Sequence, residues 1–277
     1  MFTTWFGVRL RFLALTFLVP AILAGCASTT QPGAVGADRT QLLLVSSESL
    51  NQTAAKQYTA LTGKAAQQGA LNRDPAQTQR VKAIAARLIP QTATFRPDAV
   101  GWNWEVNVLS SKDINAWCMP GGKIAVYTGL IEQVKPTDDE LAAVMGHEIA
   151  HALREHARER VSQELAASAV VGIGAAVLGL GQAGADVGSA LAKVTFTLPN
   201  SREHEREADR IGVELAARAG YDPRAAITLW QKMTKASGSG TVEILSTHPA
   251  PESRIEDLKV YSAKVVPLYE AAKPQGR

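Results

Sequence analysis

Gly146-His147-Glu148-Ile149-Ala150-His151 places two imidazoles four residues apart, with a carboxylate beside the first. On a helix, residues at i and i+4 lie on one face about one turn apart, so both rings can reach one metal ion. Glu148 falls roughly 100° around the same turn, where it can act on water at that metal. H-E-x-x-H at helical spacing is the arrangement of a zinc-dependent peptidase, with two histidine ligands and a glutamate base. The helix is signalled by Pro136 and then Thr137-Asp138-Asp139-Glu140, a capping box with acidic residues in the first turn. The apolar spacing predicts that this helix continues from Thr137 through Gln163.

A catalytic zinc keeps three protein ligands and one open position, so a third donor must follow. His156 would suit a metzincin pattern only with Gly at 154 and His at 157; Arg154 and Ala157 stand there, which leaves His156 near the ligands or at the surface. His204 points to another face of its helix than its neighbour Glu205. In Ser201-Arg202-Glu203-His204-Glu205-Arg206-Glu207-Ala208-Asp209, Glu205 and Asp209 share one helical face, and Glu205 is the better candidate.

Outward from the motif, 49–70 and 75–89 have helical spacing, with Val81, Ile84, Ala85 and Leu88 on one face of the second. Trp102 to Leu109 alternates as a half-buried strand does, and Gly121-Gly122 breaks the chain before a second strand over 123–128. The fold class is therefore α+β, mainly helical, with a small antiparallel sheet. The Ala/Gly-rich stretch 165–184 is long enough to span a bilayer, but its five glycines and Gln182 argue for a lid, a plug or a membrane-surface contact instead.

The N-terminus carries Arg9 and Arg11, then an apolar run, then Leu23-Ala24-Gly25-Cys26. Residues 1–25 read as a secretory signal, and the tetrapeptide resembles the bacterial lipobox, with Cys26 lipidated. With Ala27 rather than Asp next, sorting by such rules places the protein on the periplasmic face of the outer membrane. Residues 26–44 then form the lipidated start and a flexible tether, 45–265 one catalytic domain, and 266–277 a tail. Cys118 has no partner for an internal disulfide and, between Trp117 and Met119, reads as buried. Without the signal, 27 basic side chains face 26 acidic ones, which excludes a nucleic-acid binder relying on a strong basic field.

G-H-E-I-A-H, the downstream E-R-E-A-D and the preceding N-A-W-C-M-P-G-G-K-I-A-V-Y-T-G-L resemble the zinc peptidases that include HtpX and the CaaX prenyl proteases (Ste24-type), and among them the soluble periplasmic BepA/LoiP-like lipoproteins. The resemblance covers roughly residues 45–260. It implies a gluzincin fold with one zinc held by His147, His151 and Glu205, Asp209 orienting a zinc-bound histidine, and Glu148 as the base. It implies that an edge strand over Lys123, Ile124, Ala125, Val126 and Tyr127, approached by Asn115-Ala116, faces the cleft and pairs with extended substrate. From the His248-Pro249…Arg254-Ile255 element it implies that His248 is an oxyanion donor or an inhibitory zinc ligand, with Arg254 beside the site. Its setting is protein quality control in the outer membrane, acting on misfolded or unassembled envelope proteins near the assembly machinery. The competing expectation is a chaperone-like assembly factor on a peptidase fold with gated or low proteolysis.

Overall fold

A computed structural model describes residues 26–177, 186–237, 243–248 and 252–273; the expected signal segment lies outside them. In chain order the elements are β1 (Cys26–Ala27), β2 (Gln41–Leu42), α1 (Ser47–Gln67), α2 (Pro75–Leu88), β3 (Glu105–Leu109), β4 (Ala116–Met119) and β5 (Lys123–Tyr127). There follow α3 (Asp138–Leu153), α4 (His156–Val177), α5 (Val187–Phe196), α6 (Arg202–Arg218), α7 (Ala225–Ser237), α8 (Glu243–Thr247) and α9 (Glu252–Ala272).

The motif helix α3 begins where the capping box predicts. The Glu140 amide donates to Thr137 Oγ1 at 3.2 Å, and the Thr137 amide donates to Glu140 Oε2 at 2.8 Å. Every residue from Glu140 to Leu153 is buried, because α3 lies in the core against α2, α6, α7 and β4. Leu141, Met145, Ile149 and Leu153 are fully buried, each contributing about 1.5–3 kcal/mol by transfer from water. Helix α6 crosses α3 at a glycine pair. A Cβ on Gly146 would lie 2.9 Å from the Gly212 carbonyl oxygen, and one on Gly212 would lie 2.8 Å from the His147 amide nitrogen. Two glycines thus let the backbones approach closely enough to bring the first turns of α6 beside His147.

Five expectations are corrected. The helix does not run through Gln163: Glu155 adopts φ 50°, in the left-handed region, and separates α3 from α4. Its carboxylate is held there by Ser47, Arg158 at 2.6 Å and Arg96 at 2.9 Å. The sheet is mixed, not antiparallel, because β3 joins β5 in parallel while β4 and β5 form an antiparallel hairpin. Gly121 (φ 77°) and Gly122 (φ 80°) make that hairpin turn. The order β3-β5-β4 puts Lys123–Tyr127 in the middle, paired on both sides; the edge strand toward α3 is β4.

The other two concern the chain ends. Residues 27–42 are not a free tether: β1 pairs with β2, and Thr30, Val35, Ala37 and Gln41 are buried. Arg39 draws the segment down by reaching the carboxylates of Glu159 and Glu207. Residues 266–272 are the last turns of α9, with Val265 buried and Leu268 and Tyr269 packed on the core. Of the Ala/Gly-rich stretch 165–184, 165–177 continues α4 and 178–184 lies outside the described residues. Among the described residues no helix is long and apolar enough to cross a membrane.

Candidate metal centre

Helix α3 supplies His147, Glu148 and His151, the first turn of α6 supplies Glu205, and His248 follows α8. His147 Nε2 and His151 Nε2 are 3.1 Å apart, and Glu205 reaches them at 3.4 and 3.3 Å. His248 Nδ1 closes the group, 3.2 Å from His147 Nε2 and 2.9 Å from Glu205 Oε1. One donor atom from each of the four lies within 4.8 Å of all the others. Ligand atoms around a tetrahedral zinc with bonds of about 2.0–2.1 Å stand about 3.3 Å apart, so this donor set fits the ion in both spacing and chemistry.

The group is buried, with His147, Glu148 and Glu205 each only 2–3% exposed. Burial pushes the His147 imidazole down, but the facing carboxylates of Glu205 and Asp209 outweigh it and bring it up to about 9. Burial holds His151 well below the ordinary range. For Glu205 the burial penalty is overcome by His248 and His147, which keep the carboxylate charged. Burial raises Glu148, moving it toward the operating range of a general base. Glu148 Oε1 is buried without a hydrogen bond to any described residue, and His248 Nε2 stands 3.6 Å from it. Such an orphaned oxygen beside the donor set suits a group reserved for a reactant.

Behind His147, Nδ1–H donates to Asp209 Oδ1 at 3.0 Å, which leaves the Nε2 lone pair facing the donor group. Arg254 clamps Asp209 with two hydrogen bonds of 2.7 Å, reaches Glu205 Oε2 at 2.9 Å, and lies over Trp230 at 3.5 Å. Trp230 also packs edge-on against the His147 ring. Its part was not foreseen, since a tryptophan in a helical pattern carries no sign that it will floor an arginine. Behind His151 stands His156, fully buried and 2.9 Å away between Nδ1 atoms. The left-handed turn at Glu155 swings it there. His204 stacks on His156 and bonds Glu159, away from the donor group.

The cleft in front is lined by Trp117 and Cys118 of β4, Glu148, His151, Val194, Asn200 and His248. Cys118 is half-buried rather than sealed in the core, and burial with the Glu148 charge raises its thiol well above the usual range. No strand pairs with the outer edge of β4 among the described residues. Lys123–Tyr127 pair with the inner edge of β4 and are not among the residues that line this cleft.

A profile of peptidase family M48 matches residues 75–262. The chain is 40% identical over 154 residues to the mitochondrial metalloendopeptidase OMA1 of Arabidopsis thaliana, covering 56% of this chain and 30% of that protein. It is 37% identical over 190 residues to the metalloendopeptidase OMA1 of Bos taurus, covering 64% and 36%. It is 29% identical over 205 residues to the beta-barrel assembly-enhancing protease of Escherichia coli (strain K12), covering 70% and 41%. The matched region thus spans well under half the length of each of these relatives.

Proposed function

The chain belongs to peptidase family M48, and on that premise we propose that it is a zinc-dependent endopeptidase hydrolysing misfolded or unassembled envelope proteins. The observation that carries the chemistry is the meeting of His147, His151 and Glu205 donors at 3.1–3.4 Å, with Glu148 Oε1, which accepts no hydrogen bond from a described residue, beside them. Zinc, when bound, supplies Lewis acidity to a scissile carbonyl and to water. Glu148 takes the proton from water and returns it to the leaving amine. The free edge of β4 holds an extended peptide by main-chain hydrogen bonds, with little demand on side-chain identity. This assigns to 116–119 the role expected of 123–127.

Glu148→Gln should retain one zinc and lose cleavage of an unfolded protein substrate, with kcat down by a factor of about 100 or more. Undiminished cleavage by that variant rejects the mechanism.

The envelope setting draws on similarity to the beta-barrel assembly-enhancing protease and on the lipobox-like residues 23–26, with Cys26 acylated and the protein held on the periplasmic face of the outer membrane near its assembly machinery. One observation favours the gated, chaperone-like alternative: His248 occupies the side of the donor group where substrate must enter, as a fourth ligand would. His248→Ala separates the roles. A rise in peptidase activity marks His248 as an inhibitory ligand, and a fall marks it as an oxyanion donor. If Glu148→Gln supports barrel assembly as well as the wild type does, binding rather than cutting is the function.

A further inference from the structure

His156 and Glu207 are buried polar residues that the proposed chemistry does not use. His156 is 1% exposed and Glu207 2%. A buried imidazole and a buried carboxylate cost several kcal/mol unless their hydrogen bonds are met. Both ring nitrogens of His156 are met: Nδ1 lies 2.9 Å from His151 Nδ1, and Nε2 lies 3.0 Å from Glu207 Oε2. The other Glu207 oxygen accepts from fully buried Arg154 at 2.7 Å, and Arg39 adds a contact at 3.1 Å.

We propose that His156 and Glu207 form a positioning relay that fixes the tautomer and ring orientation of His151, so that its Nε2 presents a lone pair to the metal. The inference rests on the zinc reading of the site. The logic is one of donors and acceptors. Glu207, clamped by the guanidinium groups of Arg154 and Arg39, only accepts. His156 therefore carries its proton on Nε2 and donates it to Glu207, which leaves Nδ1 as an acceptor. Among the described residues the group facing that acceptor is His151 Nδ1, which must donate, and its Nε2 is then free of a proton. With the opposite tautomer of His156, two N–H groups would face each other, or His151 would hold its proton on Nε2 and could not ligate. The stacked ring of His204, 4.4 Å away and fixed by Glu159, keeps His156 in the plane that this exchange requires. Ligand histidines are commonly held by a carboxylate directly, as His147 is by Asp209; here a second imidazole is interposed.

The test compares zinc affinity of the full chain, by competition with a chromogenic chelator, for the wild type, His156→Gln, His156→Asn and His156→Leu, each shown to be folded by circular dichroism. Gln can accept through Oε1 and donate through Nε2, so His156→Gln should keep affinity near the wild-type value. Leu does neither, and His156→Leu should bind zinc about 10–100-fold more weakly. Asn is too short to reach both partners and should fall with Leu; it stands in if the Leu variant does not fold. A folded Leu or Asn variant with wild-type affinity overturns the relay, as does equal loss in the Gln and Leu variants, which would indicate packing rather than hydrogen bonding. A wild-type chain that binds no zinc overturns the metal reading and the relay together, whereas failure of the relay alone leaves wild-type binding intact.

Discussion

The two metal-facing histidines are supported by arms of different construction. Behind His147 the arm is short: Asp209 from the next turn of α6, clamped by Arg254 over Trp230. Behind His151 it is long: His156, Glu207, Arg154 and, from the N-terminal segment, Arg39. The first arm depends on one helix-to-helix approach and one residue from the first turn of α9. The second depends on a break in the helix that carries the motif. Both pass through a carboxylate of α6, where Asp209 serves the first arm and Glu207 the second, and Glu205 lies in the same stretch. The position of α6 against α3 is thus common to both arms, and each arm can be broken separately only below that level.

The largest effect is expected at the shared crossing. In Gly212→Ala the new Cβ would meet the His147 backbone at 2.8 and 3.0 Å, and no flexible side chain is there to yield. The helices must separate, a strain of about 1–3 kcal/mol that displaces Glu205 and Asp209 together from His147. Zinc stoichiometry measured on the purified variant should fall well below one per chain, with lowered thermal stability. A fully loaded, wild-type-like variant would show that the crossing has slack.

Next comes the short arm. Asp209→Asn keeps the size of the side chain but removes the charge that Arg254 and His147 both face, and an amide can turn its NH2 toward either. Zinc affinity should drop about 10–100-fold by chelator competition. If His156→Leu costs as much, the two arms are equivalent despite their different lengths; a smaller cost would place the main orienting role on the direct carboxylate.

The short arm was partly legible in the sequence and the long one was not. Glu205 and Asp209 are one helical turn apart, so periodicity puts both on one helical face, while the orienting role of Asp209 and the place of Arg254 came from the family resemblance. The Thr137–Glu140 capping box, the approximate extents of α1 and α2 and the chain break at Gly121-Gly122 were equally readable, because each depends on neighbours within a few residues, whereas β4 on the near side of that break was not read as a strand. His156 follows His151 by five residues, about 140° around a continuous helix, and reaches it only through the left-handed turn at Glu155. Little that is local demands that turn: Glu is an unfavourable residue for positive φ, and besides Arg158, three residues on, it is held by Ser47 and Arg96 from two distant parts of the chain. Sheet order fails for the same reason. Alternation identifies strands, but which edge β3 joins is decided by its packing on α2, so Lys123–Tyr127 could not be told from an edge strand. The Ser, Thr, Gly and Pro content of 27–39 reads as a linker until Arg39 finds two buried carboxylates more than a hundred residues away.

The smallest effect should come from the outermost member of the long arm. Arg39 is a third exposed, and Glu159 and Glu207 keep other partners without it: Gln41 and His204 for the first, Arg154 and His156 for the second. Arg39→Met should therefore cost about 1 kcal/mol, read as a fall in Tm of about 2–4 °C, with zinc affinity unchanged. Acid sharpens the same point. Burial alone would raise Glu159, but hydrogen bonds from Arg39, His204 and Gln41 hold its carboxyl well below the ordinary 4.5. A carboxyl depressed in the folded state contributes stability above its unfolded pKa and loses it as pH falls toward the folded one. Wild-type Tm should thus decline below about pH 4.5, and the decline should be shallower in Arg39→Met, where less of the depression remains. If that variant instead weakens zinc as His156→Leu does, the N-terminal segment is part of the arm that holds His151, and the metal site reads the docking of residues 27–42.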